Sequence, residues 1–525
     1  MQSFFVAGPY EDGDPVTGHY YEMASNDPTR AQVWGYTDGL SYAPGQTLRL
    51  HAMSSAQKAQ VRIERDGIAP KTVLLNEIAT RFAPTPADCS VKGCDWPVAF
   101  ETVIPAEWIS GVYAVTLTID GHSSHGMFVL KPTHPAAKLA IVLATGTWCA
   151  YNDWGGSNHY QGLCGPTGGD FSAEVSLQRP WATGFVRWPE DAPRIPHASP
   201  LLSRPAYPHM DYARANRISK KYASSGWAAF ERPFALWCEG QGIALEYFTQ
   251  HDLHADPNCL DGYPRAVIVG HDEYWTWEMR DHLDAWLDRG GELARFGGNF
   301  FWQTRLSPDL LTQTCHKARA EAEDPLAQTD RITSYWDHPR AARPGVATMG
   351  LTGSMGVYAG WSRCAAHGAG GFTIYRPDHW VMQGTGLGYG DVLGAASKIF
   401  GYEVDGIDYE TRKGLPYPAE GTGLVGDLTI VGLSLATTLS HSTGRHDEDH
   451  FIGSLDAEEV AKTVYGEITP ETLSLASRGN GCMAEYRRGR GAVFNAASCE
   501  WVAGLIARER PVEVVTLNLL LGKWG

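Results

Sequence analysis

Three short stretches bring together residue types that could do chemistry. In Gly270-His271-Asp272-Glu273-Tyr274-Trp275 an imidazole and two carboxylates are adjacent and flanked by aromatics. Capping a helix needs one acid, so this arrangement is more polar and more enclosed than a cap requires. In Thr145-Gly146-Thr147-Trp148-Cys149-Ala150-Tyr151-Asn152-Asp153-Trp154-Gly155-Gly156 the candidate is Tyr151, with Asn152 and Asp153 beside it. In Gly297-Gly298-Asn299-Phe300-Phe301-Trp302 it is the amide of Asn299. Each has a bland counterpart: an acidic helix turn, a packed tyrosine in a polar turn, and a left-handed turn residue after two glycines. Weaker groupings are His441, His446 and His450 around Asp447, Glu448 and Asp449, His251-Asp252-Leu253-His254, and Glu403-Val404-Asp405-Gly406-Ile407-Asp408. The last could supply acids to a site, although Asp-Gly is first a turn signal.

All three main stretches follow a buried strand. Leu139-Ala140-Ile141-Val142-Leu143 and Ala266-Val267-Ile268-Val269 are continuous apolar runs, as expected of strands covered on both faces. Between Trp275 and Leu287 a helical period sets Met279, His282, Leu283, Trp286 and Leu287 on one face, with Thr276 as cap and Gly290-Gly291 as stop. A strand at Leu293–Phe296 completes a βαβ unit, so two parallel strands with a right-handed crossover are predicted. Ligands bind beyond the carboxyl ends of such strands, and a carboxylate at a helix start stays ionised easily. Further strands are expected at Leu428–Leu433 and Ala492–Asn495. Upstream, Val33 to Leu130 alternates apolar and polar residues between Gly and Pro turns, the profile of a small immunoglobulin-like β-sandwich, and Lys131–Ala137 reads as a linker.

The 525 residues allow two to four domains, and a content of 58 Gly and 31 Pro predicts many connections. With 43% hydrophobic and 19% charged residues the chain is far from the composition of disorder. A net charge of −16 with no basic run argues against nucleic acid. No run approaches the roughly 18 apolar residues of a membrane span, and Met1–Pro9 lacks a basic n-region and an apolar h-region. The expected compartment is therefore the cytoplasm. Ten scattered cysteines form neither a disulfide framework nor a zinc pattern and are expected as small buried hydrophobes. Absence of Gly-x-Ser-x-Gly, of a P-loop and of His-Glu-x-x-His removes support for the commonest hydrolase, nucleotide and zincin readings.

The strings Trp148-Cys149-Ala150-Tyr151-Asn152, Gly270-His271-Asp272-Glu273-Tyr274-Trp275 and Gly298-Asn299 with Trp302 resemble the N,N-dimethylformamidase large (beta) subunit family. Asp252-Leu253-His254 and Gly401-Tyr402-Glu403-Val404-Asp405-Gly406 fit the same resemblance, which spans most of residues 137–525. It implies a glutamine-amidotransferase-like α/β domain holding a mononuclear iron through two tyrosines and one glutamate, and hydrolysing a formamide to amine and formate. Carried over, Tyr151 is the first tyrosine ligand, Glu273 the glutamate ligand, His271 the active-site histidine and Asn299 a substrate-contacting asparagine. The second tyrosine is not located, since residues 161–206 contain none; Tyr160, Tyr207, Tyr212, Tyr222 and Tyr247 are unassigned candidates.

The resulting expectation is an α/β protein: a β-sandwich over residues 1–135, then a large amidotransferase-like domain over 136–525 with a mainly parallel sheet. The expected function is iron-dependent hydrolysis of a small amide. Its expected partners are that amide and, in a homo-oligomer, further copies of the chain, with no nucleic acid and no membrane. A saccharide- or partner-binding protein with an aromatic-rich pocket is the alternative from another class. A metal-free hydrolase using Cys149 as nucleophile ranks last, for want of an elbow.

Overall fold

Alternation between Val33 and Leu130 folds as two sheets packed face to face. In one sheet Val33–Thr37, Thr47–Ser54 and Val98–Val103 are neighbours in that order; in the other the order is Ser41–Tyr42, His122–Leu130, Gly111–Ile119, Lys58–Arg65 and Lys71–Ala79. The strand Lys58–Arg65 shows the principle: Ala59, Val61 and Ile63 are buried while Lys58, Gln60 and Arg62 face water. Leu48, Leu50 and Ala52 from the first sheet join Val61, Ile63, Val115 and Leu117 from the second in one apolar core.

The computed structural model describes residues 2–6, 19–163, 171–194, 208–356, 370–401, 403–437, 461–462, 465–476 and 478–524. The chain divides into two units: Met1–Pro193, His209–Cys259 and Thr304–His316 form the first, and Arg194–Pro208, Leu260–Gln303 and Lys317–Gly525 the second. Besides the sandwich, the first unit contains a parallel pair, Leu139–Leu143 with Leu245–Thr249. The wholly buried strand Leu139–Leu143 leads into the helix Thr145–Tyr151.

In the second unit the strand order is Arg265–His271, Glu292–Gly298, Gly491–Asn495, Arg478–Arg488, Asp427–Thr437, Phe372–Ile374 and Val392–Leu393. The first three are parallel and the rest antiparallel. The sheet is thus mixed rather than mainly parallel. Arg478–Arg488 returns into Gly491–Asn495 through the two residues Gly489 and Arg490, with Gly489 at φ 54°, and so short a turn admits only antiparallel pairing.

The expected βαβ unit is present, with Arg265–His271 and Glu292–Gly298 in parallel register and the helix Trp277–Asp288 between them. Its cap is Thr276, whose hydroxyl accepts the Met279 N–H at 3.1 Å. The helix starts at Trp277, directly after the expected cap, and the residues before it, Tyr274–Trp275, pair in a short ladder with Trp302–Gln303. Met279, Leu283, Trp286 and Leu287 are buried as expected, whereas His282 is half-buried. Arg280 is buried beside them, its guanidinium 4.2 Å from the Trp336 ring centroid and bonded to the carbonyls of Arg343 and Pro344. All eight described cysteines are free and buried. Among the described residues no helix is long and apolar enough to cross a membrane.

Thr276→Ala should cost about 1 kcal/mol of stability, since an unsatisfied N–H at a buried helix start loses its cap. Urea unfolding measures this; an unchanged midpoint would show that the cap is not what holds the helix start.

Candidate functional site

Strand geometry decides which acids meet. Successive residues point to opposite sides, and beyond the end of the strand Arg265–His271 the side chains of His271 and Glu273 come together while Asp272 turns to a different partner. His271 Nε2 lies 3.2 Å from Glu273 Oε2 and also bonds Glu403 Oε2. The ligand-type atoms of His271, Glu273 and Glu403 lie within 4.8 Å of one another, and all three side chains are buried. Trp302 fixes Glu273 by donating its indole N–H to Oε1 at 2.6 Å. Asn299 Nδ2 donates to Glu403 Oε2 at 3.1 Å.

Asn299 is both things that its sequence context allows. Its backbone is left-handed, with φ 64°, as expected after two glycines, and its amide is nonetheless part of the cluster. Close approach of the Glu403 segment depends on missing side chains. A Cβ on Gly298 would sit 2.3 Å from the Glu403 carbonyl oxygen, and one on Gly356 would sit 1.8 Å from that of Val404.

Behind the cluster, Asp272 accepts from Arg295 Nε at 2.8 Å, and the same guanidinium bonds Asp405 and, at 3.1 Å, Asn495 Oδ1. Asp405 Oδ1 also accepts the Phe300 N–H at 3.0 Å. Arg295, Asp272 and Asp405 are completely buried. Burial works against charge on Arg295, but Asp272 and Asp405 outweigh it and raise its pKa further. For Asp272 burial prevails over Arg295, and the carboxyl is pushed up.

The same competition runs in the cluster. Burial disfavours charge on His271, yet the Glu403 carboxylate, followed by Glu273, overcomes it and pushes the imidazole up to about 10. Glu403 is itself raised by burial against the pull of His271. Two carboxylates and one imidazole closed off from water leave a surplus of negative charge, which a proton offsets in part and a metal cation offsets more fully. The donor set of one nitrogen and carboxylate oxygens is consistent with a mononuclear metal site.

Of the residues singled out in the sequence, His271, Glu273 and Asn299 are brought together in the second unit. Tyr151 ends a helix of the first unit, buried, with its ring 4.5 Å from that of Tyr160 and Lys221 Nζ 4.9 Å and 4.4 Å from the two centroids. Of the other candidate tyrosines, Tyr212 and Tyr222 pack on each other and Tyr247 packs on Trp227. Tyr207 lies outside the described residues, as do His441, His446 and His450. Asp252 is engaged by Lys131, Ser41 and Thr249. Cys149 is buried, and burial pushes its thiol up, the opposite of what a nucleophile needs.

Arg295 is the member that sequence reasoning passed over. Glu403 was singled out only in a weaker grouping that could supply acids to a site, without a role of its own. Arg295 interrupts the apolar run Leu293–Phe296, and a charged residue inside a buried strand is itself a sign of buried counter-charges.

Arg295→Met should lower stability by about 3–5 kcal/mol, because it leaves Asp272 and Asp405 buried without a cation. Denaturant titration tests this, and a loss below about 1 kcal/mol would show the triad to be dispensable.

The family model described as N,N-dimethylformamidase beta subunit-like, C-terminal, matches residues 63–512. No curated protein matches the chain.

Proposed function

Because the chain belongs to the N,N-dimethylformamidase beta subunit-like family, we propose that it hydrolyses the C–N bond of a small, formamide-like amide with the help of a mononuclear metal, and that the metal is iron. The observation that carries this reading is the buried convergence of His271, Glu273 and Glu403 on one point. These three residues would hold the metal. When bound, it supplies a Lewis acid for an amide oxygen and a means of making hydroxide at neutral pH.

The chain's own groups have separable tasks. Trp302 holds Glu273 in one orientation through the indole N–H, so that the carboxylate keeps its place when the substrate enters. Asn299 offers an amide donor beside Glu403, suited to steady the oxygen of the substrate as charge builds on it. A carboxylate can hold a metal through one oxygen and carry a proton on the other, so Glu403 would take the proton released when water adds to the carbonyl carbon and return it to the departing nitrogen, giving an amine and a carboxylic acid, while His271, between the two carboxylates, fixes their spacing. The enclosing aromatics Trp275, Phe300 and Trp302 keep bulk water from the cluster.

The resemblance further supports reading residues 136–525 as a glutamine-amidotransferase-like catalytic domain. It also gives Tyr151 a ligand role, which is tested by a Tyr151→Phe variant alongside the others.

The deciding experiment is elemental analysis of purified protein for iron, zinc and manganese, paired with an assay for amine release from N,N-dimethylformamide. Wild type should carry near-stoichiometric iron and turn over the amide. Glu273→Gln should lose the metal, with activity falling at least about a hundredfold. Wild-type protein that stays metal-free after exposure to iron would end this reading. A finer check uses Trp302→Phe, which keeps every candidate ligand and should weaken metal retention by about 10- to 100-fold; unchanged retention would mean that Glu273 is not oriented through the indole.

A further inference from the structure

A short stretch, Thr352–Gly356, supplies no side chain to the candidate site, yet it touches both segments that carry Asn299 and Glu403. On one side the Gly353 N–H donates to the Phe300 carbonyl at 3.2 Å. On the other, Thr352 and Gly406 exchange backbone hydrogen bonds at 3.0 and 3.1 Å, and Gly356 lies against the Val404 carbonyl. The stretch therefore bridges the two segments whose side chains meet in the 3.1 Å bond from Asn299 Nδ2 to Glu403 Oε2. Asp337 anchors it. That carboxylate accepts the hydroxyls of Thr352 and Ser354, the second at 2.6 Å, and the Gly345 N–H at 3.1 Å.

Gly353 is buried and helical, so no left-handed conformation calls for glycine there. What calls for it is room. A Cβ at this position would sit 2.6 Å from Asn299 Oδ1, 3.1 Å from the Phe301 ring and 3.3 Å from the Phe300 carbonyl oxygen. At 2.6 Å something must move, and the hydrogen bonds around the stretch decide what does. Its retreat would break bonds to Phe300 or Gly406 and pull against Asp337, leaving buried backbone groups without partners. Rotation of the Asn299 amide breaks one side-chain bond, to Glu403, and shifts only the end of a side chain. The amide is the softer of the two.

We propose that Gly353 is a positioning residue: by carrying no side chain, on a stretch held from both sides, it lets the Asn299 amide lie where Nδ2 reaches Glu403 and an incoming substrate oxygen. The role rests on the reading of the site as an amide hydrolase with Asn299 as donor. It adds a third segment of chain, anchored at Asp337, that sets where the donor sits.

The test is a double-mutant cycle in the full chain between Gly353→Ala and Asn299→Gly, the latter removing the amide while suiting the left-handed backbone at φ 64°. In amine release from N,N-dimethylformamide, Gly353→Ala should lower kcat at least about tenfold and leave KM within about twofold, because the displaced donor acts on charge that builds in the transition state. Added to Asn299→Gly, it should change kcat less than about twofold, since the group it displaces is already gone. In urea unfolding, Gly353→Ala should lower the midpoint of wild type and should not lower that of Asn299→Gly, where the methyl has space. The proposal falls if Gly353→Ala keeps wild-type kcat, or if it lowers kcat or the midpoint equally in both backgrounds, the mark of a glycine with a structural role alone. Wild type that releases no amine ends the hydrolysis reading instead, and the unfolding cycle then decides whether Gly353 sets the place of Asn299.

Discussion

A guanidinium that has been stripped of water must be met by anions from its own chain, and Arg295 meets two. Desolvating such an ion costs several kcal/mol, recovered only when the geometry is good and the remaining donors are satisfied. Asp272, Asp405 and Asn495 provide this, from three separate stretches of the second unit. Each acid neighbours a residue of the candidate site: Asp272 lies between His271 and Glu273, and Asp405 is two residues from Glu403. Satisfying Arg295 therefore places the three site side chains as a by-product of placing its own partners. The triad contributes geometry more than stability, since an apolar replacement of the whole set could hold the fold but would leave nothing to align the cluster.

The cluster itself is an unfinished charge balance. His271 is drawn to hold a proton by Glu403 and Glu273, and burial would rather see Glu403 neutral. Trp302 and Asn299 each donate to one of those carboxylates, which keeps both acids pointed inward despite their mutual repulsion. Groups with a structural role alone seldom converge in this way, because a structural ion pair is stable when its charges cancel. Here they cancel only in part.

Much of this architecture is legible in the sequence because it is local. The βαβ unit follows from two apolar runs, a capped amphipathic helix and two glycines, all within a short window. His271, Glu273 and Asn299 follow from their place just after buried strands. Glu403 is not legible in the same way, since its distance from His271 is set by a backbone contact at Gly298 and by pairing far along the chain. The mixed sheet has the same cause: the parallel half is written in continuous apolar runs, whereas antiparallel pairing of Arg478–Arg488 is decided by a two-residue turn that leaves little compositional trace.

The position of Gly491–Asn495 in the sheet has a consequence for biosynthesis. Glu292–Gly298 pairs on one side with a strand made shortly before it and on the other with one that lies about 200 residues further along. Arg295 likewise waits for Asp405 and Asn495, both translated long after it. While the nascent chain emerges, an unpaired strand edge and an arginine with only one of its two carboxylates persist in what will become the interior, and such species are prone to aggregate. The second unit therefore cannot complete this pairing until Gly491–Asn495 has been made, and its cellular yield should depend on chaperones that shield the waiting edge.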